Sequence, residues 1–245
     1  MAKILVIPDT HARDFWKEAK NLIDNYDKVI FLGDYVDPYP YEFNLSHEEL
    51  TKKVINDFKE IIEFAKAYPE KVILLDGNHL LHYVDTKYRC YRFDKLIHPI
   101  IKRLYDKNHE LFHHSYQIDD VLFTHAGVSK EWMDLVCKNK HIEYKNNPSH
   151  IINSCDLDYL MMCSRYRGGR DEYSGPEWLD VHEFFDLTPL PGFYQIFGHT
   201  QCVNLNQPLA LENFACVDTQ TIYEFDTETK KLKMLQECPK FYFNA

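Results

Sequence analysis

No stretch of the 245 residues approaches the length of apolar segment that a membrane span requires. The seven cysteines, at 90, 137, 155, 163, 202, 216 and 238, are odd in number and contain no C-x-x-C pair. That argues against a disulfide framework or a thiolate zinc knot. It favours buried free thiols in a reducing compartment, so the expected location is cytoplasmic. Low-complexity linkers and internal repeats are absent, and residues 1–245 are expected to form one domain. No basic stripe runs along the chain, and a net charge of −10 repels polyanions. Both observations argue against partners such as long nucleic acid or an anionic membrane, while leaving room for a local basic pocket. The opening "MAKILVIPD" has too few apolar residues before a charge for a secretion signal, and reads as a strand.

What is present is apolar and aromatic side chain in amounts sufficient for a large core. Four short apolar runs, "KILVIPDTH" (3–11), "KVIFLGD" (28–34), "KVILLDGNH" (71–79) and "DVLFTHAG" (120–127), end in polar residues, and a fifth, "YQIFGHT" (194–200), follows later. Continuous runs of this kind predict strands buried on both faces. Helical spacing separates them, through Phe15, Trp16, Ala19, Leu22 and Ile23, and then in the long segment after Ser46. There Ser46 and Glu49 make a capping box, Val54, Ile55, Phe58, Ile61, Ile62 and Ala65 make the apolar face, and Pro69 is the stop. Further helices are predicted at "SKEWMDLVCK" and "PSHIINSCDLDYLMMC". The tail, "LALENFACVDTQTIYEFDTETKKLKMLQE", reads as antiparallel strands forming a second sheet layer. Strands alternating with helices define the α/β class.

Each of the five runs delivers oxygen or imidazole donors at its end: Asp9 and His11, then Asp34, Asn78 with His79, His125, and His199. Groups just beyond the carboxyl ends of such strands collect at one edge. Donors without thiolate suit manganese, iron, zinc or cobalt, and even six of these seven are too many for one ion that must also bind substrate. Two ions sharing a bridge fit better, with Asp34 as the bridging carboxylate. Most of the thirteen histidines, including His47, His109, His113, His114, His141 and His150, read as surface or helix-face residues.

Taken in order, "DTH" (9–11), "GDYVD" (33–37), "GNH" (77–79), "THAG" (124–127) and "GHT" (198–200) resemble the calcineurin-like metallophosphoesterase superfamily, over residues 3 to about 200. The resemblance implies a four-layer α-β-β-α sandwich with two mixed sheets. It also implies two divalent metal ions, manganese first with iron or zinc as alternatives. Asp9, His11 and Asp34 would hold one ion, and Asp34, Asn78, His125 and His199 the other. His79 would be the general acid to the leaving group, and Asp37 would orient it and favour its protonated form. The implied activity is phosphate-ester hydrolysis by a metal-bridging hydroxide.

Gln201 stands where many diesterases of the superfamily have a second histidine. That is similar to the phosphoprotein phosphatase and diadenosine tetraphosphatase branch, and suggests a phosphomonoesterase acting on a small phosphorylated molecule or a phosphoprotein. Pro38-Tyr39 replaces that branch's Arg-Gly, and Asp76 and Leu80 flank the third motif differently. A phosphodiesterase or dinucleoside polyphosphate hydrolase is one alternative, and a non-catalytic metal-binding scaffold is another. For the missing phosphate clamp, "SRYRGGR" offers Arg165, Arg167 and Arg170, of which Arg167 precedes two glycines. Trp178 reads as core, with a stacking face at the pocket as the alternative, and Arg13 and His82 are rim candidates.

Overall fold

The structure is a computed structural model and describes residues 2–145, 147–202 and 207–236. Cys238 and the final residue of the predicted tail, Glu237, lie outside the described residues.

The apolar runs form strands because alternate residues of each find a partner surface on opposite faces. The strands are β1 (Lys3–Ile7), β2 (Lys28–Phe31), β3 (Val72–Leu75), β4 (Phe112–His113), β5 (Ser115–Ile118) and β6 (Val121–Thr124). They continue with β7 (Tyr194–Phe197), β8 (Leu209–Ala210), β9 (Phe214–Cys216), β10 (Tyr223–Asp226) and β11 (Leu232–Met234). One sheet has the order β11-β10-β1-β2-β3-β4 and the other β5-β6-β7-β9-β8. Both are mixed: β1 to β4 run parallel, β6, β7 and β9 run parallel, and β10, β11, β5 and β8 run antiparallel to their neighbours.

Ile4, Val6, Ile30, Leu32, Ile73 and Leu75 point from the first sheet into a shared core with Val121, Phe123, Ile196 and Ala215 of the second. The intervening residues Leu5, Ile7, Val29, Phe31, Val72 and Leu74 point the other way, onto Val54, Phe58, Ile61 and Ile62 of the His47–Ala67 helix. Leu122 of the second sheet packs outward against Trp132, Met133 and Val136 of the Lys130–Lys140 helix. The result is the α-β-β-α sandwich. Beyond their first residues, β1, β2, β3, β6 and β7 are buried throughout, which is why these runs show no polar alternation.

The structure corrects four sequence expectations. The tail does not form a second sheet by itself. β8 and β9 join the second sheet, whereas β10 and β11 extend the first, because β1 would otherwise present an unpaired edge that β10 satisfies from Lys3↔Asp226 to Val6↔Tyr223. The five donor-bearing strands are likewise divided, three in one sheet and two in the other. The helix predicted around Trp16 is three short turns, with 3₁₀ geometry at Phe15–Glu18 and Ile23–Asn25 around Ala19–Leu22. None of the three has a side-chain cap, and packing of Trp16, Ala19 and Ile23 holds them. The segment after Pro148 is two helices, Pro148–Asn153 and Leu157–Leu160, interrupted where Asp156 turns extended.

The long helix keeps its predicted cap. Ser46 Oγ accepts from the Glu49 backbone N–H, while the Glu49 carboxylate accepts from the Ser46 N–H at 2.8 Å. All six described cysteines are free thiols. Among the described residues no helix is long and apolar enough to cross a membrane.

Candidate metal centre and active site

The chain leaves each parallel strand into a tight turn, and the turns carry the donors. Five of the residues gathered there have left-handed backbone, His11 (φ 45°), Asp34 (φ 49°), Asp37 (φ 58°), Arg92 (φ 69°) and His199 (φ 64°). Non-glycine residues avoid that region, and a cluster of them marks a place where packing overrides local preference. Glycines allow the turns to close on one another. A Cβ on Gly77 would lie 2.3 Å from Asp34 Oδ1, and one on Gly198 would lie 2.1 Å from Asp9 Oδ1.

Two donor clusters result, and they share one residue. Asp9, His11 and Asp34 bring ligand atoms within 4.8 Å of one another, as do Asp34, His125 and His199. Asn78 Oδ1 lies 3.0 Å from His125 Nε2. The turns also aim these groups. His11 Nδ1–H donates to the Val36 carbonyl at 2.7 Å, and His125 Nδ1–H to the Leu32 carbonyl at 2.8 Å, so each Nε2 faces Asp34. Backbone N–H groups of His79 and His199 donate to Asp34 Oδ1 (2.9 Å) and Asp9 Oδ1 (3.1 Å), fixing both carboxylates.

The electrostatics test whether cations fit. Burial pushes the Asp9 carboxyl up to about 6, with Asp34 adding to the rise. Burial holds the His11 and His199 imidazoles far below their ordinary range, assisted by Arg92 and Arg167 respectively. His199 Nε2 is buried without a hydrogen-bond partner. His125 goes the other way: burial opposes its charge, but the Asp34 and Asp9 carboxylates raise it, as a cation in their midst would satisfy them. Neutral His11 and His199 imidazoles and crowded buried carboxylates, with a donor atom left over, form a set that is costly alone and satisfied by positive charge. The donors fit two divalent cations that share Asp34.

Beside this centre lies a second constellation. His79 Nδ1–H donates to Asp37 Oδ2 at 2.8 Å. His82 Nε2 also lies 2.8 Å from Asp37 Oδ2, and the Tyr83 hydroxyl donates to Oδ1. Burial works against the Asp37 charge, but the hydrogen bonds from His79 and His82 hold its carboxyl below the usual range. His82 is thus fully buried behind Asp37 and is no rim residue. Cys90 Sγ sits 3.0 Å from His82 Nδ1, its thiol pushed far up by burial and the nearby carboxylates.

The three arginines proposed from the sequence separate. Arg167 reaches the site, donating from Nη2 to Thr200 Oγ1 at 3.0 Å and pairing through Nε with Asp180 Oδ2 at 2.7 Å, next to His199. Arg165 and Arg170 are exposed around a different hollow with Asp171, Glu172 and Asp186, because the turn at Arg165–Arg167 sends alternate side chains apart. Arg13 is buried in a two-pronged ion pair with Glu42, 2.7 and 3.1 Å. Trp178 is half-buried with its ring edge-on to His199, centroids 5.7 Å apart, so it borders the centre and is not core. His114 is no surface residue either: it lies 3.1 Å from Asp76 and 3.3 Å from Glu177, both buried.

Sequence reasoning missed Arg92. Its guanidinium lies 3.8 Å from the centroid of the Tyr39 ring, with Nη1 donating to the Asp37 carbonyl (2.6 Å) and Nη2 to His79 Nε2 (2.9 Å). Asp218 was missed as well. It is buried just beyond β9, one carboxylate oxygen lacks a partner, and burial together with Asp9 raises it strongly. Its signal was that "CVDT" is one more apolar run ending in a carboxylate. Arg92, in "YRCYRFDK", carries no comparable signal.

The family model for the calcineurin-like phosphoesterase matches residues 2–203. The chain belongs to the calcineurin-like phosphoesterase family and is accordingly a metal-dependent phosphoric ester hydrolase. None of the curated proteins matches it in sequence. Among solved structures it is similar to the cold-active protein-tyrosine phosphatase of a psychrophilic Shewanella species, with a TM-score of 0.54 and 17% identity over 96% of this chain and 81% of that one. It is also similar to a Saccharomyces cerevisiae protein serine/threonine phosphatase, with a TM-score of 0.55 and 10% identity over 99% and 82%. At such identities the likeness speaks for the fold.

Proposed function

We propose that the protein is a phosphomonoesterase in which Asp9, His11 and Asp34 hold one divalent cation and Asp34, Asn78, His125 and His199 hold a second. Manganese is the first choice, with iron or zinc as alternatives. The donor set without thiolate supports the metal class. Bound there, the cations supply charge neutralisation for the phosphoryl group and activation of the attacking water. The observation that carries the reading is the pair of guanidiniums flanking the centre, Arg92 bonded to His79 and Arg167 bonded to Thr200, the residue after His199. Two forks suit a dianionic phosphoryl group with three terminal oxygens better than a diester with two.

His79 then serves the leaving group. Its Nδ1–H is committed to Asp37, and its Nε2 accepts from Arg92 while no substrate is present. A phosphoryl oxygen entering beside Arg92 takes that guanidinium N–H and frees Nε2 to bind a proton from solvent, stabilised by Asp37, and then to deliver that proton to the departing alkoxide. Residues 1–245 act as one domain on this reading, supported by β10 near one end pairing with β1 near the other. A small phosphorylated molecule or a phosphoprotein side chain would be the substrate; the Shewanella and Saccharomyces phosphatases share the fold with this chain.

The test is turnover of p-nitrophenyl phosphate against bis-p-nitrophenyl phosphate with Mn²⁺, Zn²⁺ or Fe²⁺, before and after His79→Asn. Faster cleavage of the monoester is expected. Preference for the diester, or metal binding without turnover of either, would overturn the proposal.

A further inference from the structure

Arg92 does more than contact His79, Asp37 and Tyr39. It borders a cavity of about 490 Å³ that runs away from the metal centre between the 38–40 turn, the His47–Ala67 helix and the 92–97 segment. That volume falls within the roughly 300–1,000 Å³ of small-molecule sites. Pro38, Leu50, Val54, Phe93 and Ile97 form its apolar part, with titratable side chains at the His79 end (Asp37 and Arg92) and at His47, Asp94 and Lys95. The same two loops carry outward-facing apolar groups: Tyr41, Tyr91 and Leu96 are 71%, 85% and 68% exposed.

Resting on the phosphomonoesterase reading, we propose that this cavity receives the organic part of the leaving alcohol, and that the preferred alcohol is aromatic. Three observations lead there. Asp37 and Arg92 line the cavity and are also the residues bonded to His79, so the cavity begins on the side where the alkoxide would depart. Over the apolar part, formed by Leu50, Val54, Phe93 and Ile97, the hydroxyls of a sugar or glycerol would lack partners, which costs affinity, whereas an aromatic ring would not. The Arg92 guanidinium, stacked on Tyr39 at 3.8 Å, already makes one cation–π contact and offers a planar edge to a second ring. Substrates with a compact polar alcohol would still place their phosphate, but would gain nothing from this surface.

The experiment compares kcat/KM for 1-naphthyl phosphate and glycerol 2-phosphate in the Mn²⁺-loaded protein, wild type against Thr51→Trp. It adds 1-naphthol binding followed by saturation-transfer NMR. Thr51 is a half-buried helix residue on the cavity wall, outside the catalytic constellation. Filling the cavity should lower kcat/KM for the naphthyl ester by about tenfold or more, leave glycerol phosphate within about twofold, and abolish naphthol binding. Equal effects on both esters, or naphthol binding that survives, would overturn the assignment. If Thr51→Trp fails to fold, Leu50→Ala should weaken naphthol binding about threefold with glycerol phosphate unchanged, and unaltered binding would count against the cavity. Should the wild type cleave no ester yet bind naphthol in a Thr51-dependent way, the cavity assignment stands and the monoesterase reading is the part that fails.

Discussion

The two halves of the site are built differently. The metal half comes from strand ends, with Asp9, His11, Asp34, His125 and His199 each a few residues beyond a buried strand and held by backbone hydrogen bonds. The half proposed to meet the substrate comes from loops. Arg92 follows a helix by eight residues, Arg167 stands in an isolated 3₁₀ turn, and Tyr39 precedes another. Strand ends inherit their positions from the sheet ladder, so their chemistry is tied to local sequence. Loop residues inherit theirs from whatever they dock against, and the same side chain could have pointed into solvent, as Arg165 does.

The strongest way to break that contrast is at the shared residue. Asp34→Asn should lose metal from both clusters, read as a fall in bound Mn²⁺ per chain by elemental analysis, with kcat/KM down on the order of 10³-fold. Retention of both ions would remove Asp34 from the bridge. Next in size is His79→Asn, expected to slow alkyl monoesters by about 10²–10⁴-fold while slowing p-nitrophenyl phosphate less, since nitrophenolate departs without a proton. Equal losses on both leaving groups would deny it the acid role.

The loop half is sharpened by comparing arginines. Arg92→Ala should cost about 10²-fold in monoester kcat/KM and Arg167→Ala about tenfold, with Arg165→Ala and Arg170→Ala within about twofold. A large loss at Arg165 would mean that the 165–170 loop closes over the substrate after all.

The smallest effect lies outside both halves. Asp57 is buried on the long helix, accepts from Trp16 Nε1–H at 3.1 Å on one oxygen, and has no partner on the other. Burial pushes its carboxyl up to about 6. The folded chain therefore holds that proton more tightly than the unfolded chain does. The stabilisation is complete below about pH 4 and is lost as pH rises through 6, a loss of about 2–3 kcal/mol. Asp57→Asn keeps the tryptophan contact and should match wild type in Tm at pH 4 but exceed it by several degrees at pH 8. Identical shifts at both pH values would rule out the titration.

Much of the architecture was legible because burial leaves a one-dimensional trace. Runs such as "KILVI" and "KVIF" have no polar alternation since each sheet face meets another layer, and the Ser46–Glu49 cap reads directly from its spacing. The division of β1–β3 and β6–β7 between two sheets left no such trace, because strand pairing is a long-range choice. The same holds for β10, which crosses more than 200 residues to close the edge at β1. His114 shows the limit at a single residue: its flanking polar letters suggested solvent, yet Asp76 and Glu177 arrive from 38 and 63 positions away.

By itself the sequence determined which donors this protein could offer a metal and which strands would carry them, since apolar run and terminal ligand are adjacent along the chain. Tertiary structure alone decided which guanidiniums gather beside the donors, because Arg92 meets His79 and Tyr39 only after two loops pack against the start of the Asn78–Val84 helix. Local spacing encodes what the backbone repeats, and contact between distant loops obeys no repeat.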